Sequence, residues 1–231
     1  MSLPKCRNQI LLALSRADRA LLSPGLEPVE LEIGKSVEKA NKPIEHVYFP
    51  DSGVISVVAK SGRSQIEVGL IGREGLSGTS IVLGNHRSPN QAYVQMAGSA
   101  HRIAANRFRV ALEDSKSLRQ RMQRYALVFM VQIAQTAFAN GSARMDERLA
   151  RWLLMAHDRQ DSDDLRLTHE VLAITLGVRR TGVTDRLHEL ESKGLIRATR
   201  GAITIRDRKG LRALAGGLYG VPEAEYDRLL R

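Results

Sequence analysis

The chain has 231 residues, 43% of them hydrophobic, and carries a net charge of +10 with a pI near 10.2. That length allows two modest domains, and that charge suits a polyanionic partner. One cysteine, Cys6, excludes an internal disulfide or a multi-cysteine metal site; no apolar run is long enough to cross a membrane and no signal peptide is read at the start, so a cytoplasmic protein is expected.

In chain order, Asn8 to Leu22 places Ile10, Leu11, Leu14, Leu21 and Leu22 at helical spacing, which predicts one short amphipathic helix or two, ended by Pro24-Gly25. From Pro28 to about Ile103 the period changes. Val29, Leu31 and Ile33 alternate with polar residues, as do Ile66, Val68 and Leu70, and Ala92, Val94 and Met96. His46 to Phe49 stops at Pro50-Asp51-Ser52-Gly53, and Val54 to Ala59 runs into Lys60-Ser61-Gly62-Arg63. Many short strands separated by turns predict a sandwich, a jelly roll or a small barrel.

Lys116 to Asn140 lacks proline and glycine and predicts one long helix. Leu118, Met122, Tyr125, Phe129, Gln132 and Thr136 step by three and four along it. Tyr125 to Ala139 is apolar almost all round, so the helix needs cover on more than one side. The strand domain supplies one cover, and the same helix of a second subunit is expected to supply another, which makes those six residues the expected dimer seam. Gly141-Ser142 marks the boundary to the last domain, Met145 to His157 predicts a further helix, and Pro222 to Arg231 a short helical tail of unassigned purpose.

Thr168 to Arg206 reads as helix, tight turn, second helix and hairpin. Gly177 sits at the corner, with Leu172, Leu176 and Val178 around it, Val183 and Leu187 after it, and small Ala173 four residues before. Thr168 is placed to cap the first helix, with Glu170 in its first turn. Leu195 to Thr199 and Ala202 to Ile205 flank Arg200-Gly201 as a wing. Arg179 and Arg180 open the second helix, where the macrodipole disfavours cations, so local helix stability does not account for them. From Gly177 to Arg212 ten basic residues face four acidic ones, a net +6. A helix N-terminus reading DNA accounts for this economically.

The block Leu167-Thr168-His169-Glu170-Val171-Leu172-Ala173, then Leu176 to Leu187, then Leu190 to Ile196, resembles the winged helix-turn-helix of the Crp/Fnr family of bacterial transcription regulators. Val68-Gly69-Leu70-Ile71-Gly72-Arg73-Glu74-Gly75-Leu76 is similar to the start of that family's phosphate-binding cassette, and the order of strands, long helix and winged motif extends the resemblance to nearly the whole chain. It implies an α+β protein: an N-terminal jelly-roll, cyclic-nucleotide-binding-like sensor domain over 1–115, a dimerisation helix over 116–141 and a winged helix-turn-helix domain over 142–231. It also implies a homodimer on a pseudo-palindromic duplex site, with RNA polymerase as a further partner and no membrane. Carried over by position, Arg180 matches the base-reading arginine, while Thr181, Asp185 and Arg186 depart from common family residues. Arg179 and Thr184 share that helix, and Thr168, Arg197 and Arg200 are expected on phosphates.

The implied effector pocket comprises Gly72, Glu74, Gly75, Leu76, Asn90 and Gln91. Asn90-Gln91 stands where cyclic-nucleotide binders carry an arginine-serine pair, with Arg87-Ser88 three residues earlier, so the effector site is read as degenerate or unidentified. No cofactor is expected, since an iron–sulfur cluster needs several cysteines and no ligand role is read into His46, His86 or His101. Cys6 is taken as an incidental thiol. The alternatives are a metal-dependent jelly-roll enzyme with a basic accessory domain, and a cyclic-nucleotide-binding module acting on a protein. The first lacks clustered ligands, the second does not use the basic motif, and no nucleophile elbow, P-loop or paired catalytic acids suggest an enzyme.

Overall fold

The computed structural model describes residues 6–62 and 64–231, and of Arg180 the backbone alone; Arg63, in the turn expected at 60–63, lies outside the described residues. The chain opens with α1 (Gln9–Leu12) and α2 (Arg16–Leu22), capped by Asn8 and Ser15, whose side chains accept from Leu11 and Asp18 amides. Strands β1 (Glu27–Leu31), β2 (Ser36–Glu38), β3 (His46–Pro50), β4 (Val54–Ser61) and β5 (Ser64–Ile71) follow. After the short α3 (Thr79–Val82) come β6 (Gln91–Met96) and β7 (Gly98–Ala104).

These strands form two antiparallel sheets, ordered β1-β7-β3 and β2-β6-β4-β5. Alternating residues bury Val47 and Phe49 from one sheet and Ile55, Val57 and Val94 from the other in one core. Two packed sheets are the sandwich-like solution among those expected, in agreement with the jelly-roll reading.

Helix α4 (Ala105–Asp114) leads to α5 (Lys116–Ser142), whose first turn is capped by Ser115. The remainder is α6 (Met145–His157), β8 (Asp164–Leu165), α7 (His169–Leu176), α8 (Arg180–Ser192), β9 (Ile196–Thr199), β10 (Ala202–Ile205), α9 (Arg208–Ala215) and α10 (Val221–Leu230). The wing is a three-stranded sheet, ordered β8-β10-β9, because the polar loop after α6 adds a strand to the expected hairpin.

The tail does not stand apart. Tyr226 and Leu230 of α10 are buried in the sensor core, and Arg121 of α5 donates to the Leu230 carbonyl at 2.9 Å. A second core joins α6, α7, α8 and the wing, and it also takes in Val54, Leu70 and Met96 from the four-stranded sheet. The winged unit is therefore docked on that sheet.

Candidate nucleic-acid interface

The helix-turn-helix is built as the residue pattern requires. Thr168 accepts from the Val171 amide at 3.2 Å and caps α7. Gly177 takes φ +64°, the left-handed corner that suits glycine, and the Gly177 and Val178 amides return to the Ile174 and Ala173 carbonyls. Leu172, Leu176, Val183, Leu187 and Leu190 are buried between the helices. His169 adds a polar tie, with Nδ1 3.0 Å from Thr184 Oγ1.

The outward stripe of α8 is Thr181, Thr184, Asp185 and His188, with Arg179 exposed at its start. His188 was not singled out by motif, yet its spacing from Thr181 and Asp185 puts it on the same stripe. Arg197 and Arg200 are exposed on the wing, at β9 and at its turn with β10. Among the described residues Arg179, Arg197 and Arg200 form no ion pair. By contrast, Arg186 and Lys193 both pair with Glu189, at 2.5 and 2.8 Å. Arg186 is thus partly neutralised within its own helix. The backbone of Arg180 opens α8, and its side chain lies outside the described residues. Gly182 stands in the first turns of α8, although among the described residues an added Cβ there would meet only Met145, at 3.8 Å. Packing does not demand this poor helix former.

The residues of the expected dimer seam are buried within their own chain. Leu118, Met122, Tyr125, Phe129 and Gln132 are at most 5% exposed and Thr136 is half-buried, all within a single chain. They face their own sensor unit because glycines on that side admit them: a Cβ on Gly69 would come within 2.8 Å of the Phe129 ring, and one on Gly75 would run into the Tyr125 hydroxyl. The unpartnered stripe of α5 runs instead through Gln120, Arg124, Leu127, Met130, Ala134, Ala137 and Phe138. Leu127, Met130 and Phe138 are 46%, 56% and 59% exposed. The heptad step was legible in the residues, but a helix apolar all round has two such seams, and the choice between them is tertiary.

The cassette residues are held by contacts of their own. The Glu74 carboxylate pairs with Arg159 at 2.7 Å and accepts from the Gly72 amide at 3.1 Å. Leu76 is fully buried. Glu74, Tyr125, Phe129 and Arg159 line a cavity of about 400 Å³ closed on its far side by Pro222 and Tyr226 of α10. Asn90 and Gln91 are not in its wall; Gln91 opens β6 opposite Val58, three residues along the strand from Val94, whose neighbour is Ile55. The six residues of the expected pocket therefore do not converge on one cavity. Sequence order alone could not place Arg159 and α10 against Glu74.

Between the two units lies a buried polar joint. Trp152 of α6 donates its indole N–H to Glu67 at 2.6 Å, Ser56 donates to the same carboxylate at 2.5 Å, and Gln95 donates to Thr175 of α7 at 3.0 Å. Burial pushes the Glu67 carboxyl up to about 7, against the lowering pull of the Ser56, Trp152 and Gln95 hydrogen bonds. Ile66 packs on Gly177, so the corner of the helix-turn-helix rests on β5.

Residues 147–214 match the Crp-like helix-turn-helix domain. The transcriptional regulator SdrP of Thermus thermophilus is 37% identical over 78 residues, which span 31% of this chain and 39% of that relative. Over nearly whole chains the fold matches two solved structures. A CRP/FNR-family transcriptional regulator of Thermus thermophilus aligns with TM-score 0.65 and 21% identity, covering 82% of this chain and 98% of that one. FixK2 of Bradyrhizobium japonicum aligns with TM-score 0.69 and 15% identity, covering 83% and 98%. The chain thus carries a Crp-like helix-turn-helix domain over residues 147–214, and its fold throughout is that of these two solved structures.

Proposed function

We propose that this protein is a homodimeric, sequence-specific DNA-binding transcription regulator, with a sensor unit over 1–115, a dimerisation helix over 116–141 and a DNA-binding unit over 142–231. The observation that carries the reading is the outward face of α8 and the wing, where Arg179, Arg197 and Arg200 stand exposed, with no acidic partner among the described residues, around a glycine-cornered helix pair. Thr181, Thr184 and Asp185 are assigned to base edges together with Arg180, and Thr168, Arg197 and Arg200 to phosphates. Gly182 supports the same reading, since a missing side chain lets duplex backbone approach the helix. The second subunit packs on the Leu127–Met130–Phe138 stripe, where Ala134 and Ala137 allow close approach. RNA polymerase is the expected further partner, and the cytoplasm the expected location.

The test is an anisotropy titration of labelled genomic duplex fragments across a salt series. A regulator of this kind binds with a steep negative salt slope, and Arg200→Ala lowers that slope by about one while weakening all sequences alike. Binding that ignores salt, or ignores Arg200, would contradict the assignment.

A further inference from the structure

Cys6, Asp51 and His101 meet beneath the N-terminal segment of the sensor unit, with ligating atoms all within 4.8 Å of one another. They come from three places in the fold. Cys6 precedes α1, Asp51 follows β3 in the Pro50–Gly53 turn, and His101 sits on β7 opposite Phe49. Asp51 and His101 are buried and Cys6 is half-buried, which leaves an approach from solvent. His101 Nδ1 lies 2.7 Å from Asp51 Oδ2, while Asp51 Oδ1 accepts the Arg7 and Asn8 amides at 2.7 and 3.1 Å. The carboxylate is held in place by backbone and imidazole, and no lysine or arginine pairs with it among the described residues.

We propose that Cys6, Asp51 and His101 form a three-ligand site for Zn²⁺, with the fourth position left to water. Sulfur, imidazole nitrogen and carboxylate oxygen are the ligand types this ion takes. Zinc–ligand bonds of about 2.0–2.3 Å place tetrahedral ligands roughly 3.3–3.8 Å apart, so small side-chain rotations close the cluster. On binding, the Cys6 S–H bond breaks, a Zn–S bond forms and the proton leaves to solvent. His101 keeps its single proton on the nitrogen that the ion does not take. Thiolate and carboxylate together cancel the ion's charge, so the loaded site is neutral and suited to burial.

The site has a route to the winged unit. Arg7, next to Cys6, pairs with Asp161 at 2.5 Å, and Arg73 of the cassette pairs with the same carboxylate at 2.5 Å. Asp161 lies in the loop between α6 and β8. Fixing Cys6 on a metal fixes the backbone beside Arg7 and hence this joint. This regulatory consequence rests on the DNA-binding reading; the metal site itself does not.

The test uses the full chain, stripped with chelator, and Co²⁺ alone as a spectroscopic stand-in for Zn²⁺. Expected are one Co²⁺ per chain with a thiolate-to-cobalt charge-transfer band, displaced by Zn²⁺. Loss of even an outer-shell partner costs about 10–100-fold in metal affinity, so Cys6→Ser and His101→Gln each weaken uptake at least about tenfold. Circular dichroism checks that both variants fold, and should His101→Gln not fold, half-buried Cys6→Ser decides. Absence of the charge-transfer band, or uptake unchanged in Cys6→Ser, overturns the site. Duplex affinity measured with and without Zn²⁺ tests the route: a shift in wild type that Cys6→Ser abolishes supports it, and no shift overturns it. A chain that takes up Co²⁺ with the charge-transfer band yet binds no duplex supports the metal site and sinks the DNA reading alone.

Discussion

Gln132 of α5 holds the peptide groups of Leu70 with both ends of its amide, accepting the Leu70 N–H at 2.6 Å and donating to the Leu70 carbonyl at 3.2 Å. β5 is the open edge of its sheet, and its backbone groups would otherwise face an apolar helix. One polar residue in an apolar seam thus closes a sheet edge and fixes the helix register against the sensor unit.

Gln132→Leu therefore leaves the buried Leu70 N–H unpaired, while the Leu70 carbonyl keeps its longer contact with Arg159 at 3.5 Å. The expected loss is about 1–3 kcal/mol for the unpaired donor, read as a lower urea midpoint at fixed protein concentration. An unchanged midpoint would mean that water replaces the amide at no cost.

In the proposed dimer the two faces of α5 separate folding from association. Met130→Arg and Leu127→Arg are expected to yield folded monomers, because both side chains point away from the chain's own core. Phe129→Arg buries an unpaired charge against Gly69 and should cost several kcal/mol of fold stability. Light scattering with circular dichroism distinguishes these outcomes, and a Met130→Arg protein that stays dimeric would move the interface elsewhere.

Glu67 gives a pH dependence whose sign is determined. Its folded value, about 7, is raised above the ordinary 4.5, so the neutral acid is the form the interface favours. Its contribution is fully present below about pH 4.5 and is lost as pH rises through about 7. Stability of wild type relative to Glu67→Gln should fall across that window by up to one proton's slope. Parallel curves for the two proteins would show that Glu67 does not titrate there.

Cyclic AMP is expected to leave the melting temperature unchanged at millimolar concentration. Glu74 of the expected pocket is engaged by Arg159, and Asn90 and Gln91 supply no cation for a buried phosphate. A tight ligand at 100 times its dissociation constant would add about 2.7 kcal/mol, well within detection. A rise that Arg87→Ala abolished would place the phosphate at the 87–88 loop instead.

Much of this fold was legible because its signals are local. The αL corner at Gly177, the Thr168 cap and the strand read from Ile66, Val68 and Leu70 each follow from neighbouring residues, and the structure repeats them, although on that strand Glu67 is buried while Ile66 and Val68 are half-buried. What escaped depends on contacts across the chain. Which apolar face of α5 turns inward is decided by Gly69 and Gly75, which lie in a different domain of the sequence. The docking of α10 on α5, the Arg159–Glu74 pair and the convergence of Cys6 with Asp51 and His101 join segments with no shared motif. Trp152 sits among the apolar residues of α6, and the commitment of its indole N–H to Glu67 has no counterpart in the local pattern.

The most direct test of the central claim is selection from a randomised duplex library, run in parallel with wild type and Arg180→Ala. The account predicts an enriched pseudo-palindrome with half-sites centred about 34 Å, or roughly one turn, apart. It further predicts that Arg180→Ala relaxes one position in each half-site at a cost of about 1–3 kcal/mol. Enrichment of no sequence, or the same site with the same affinity from both proteins, would contradict it.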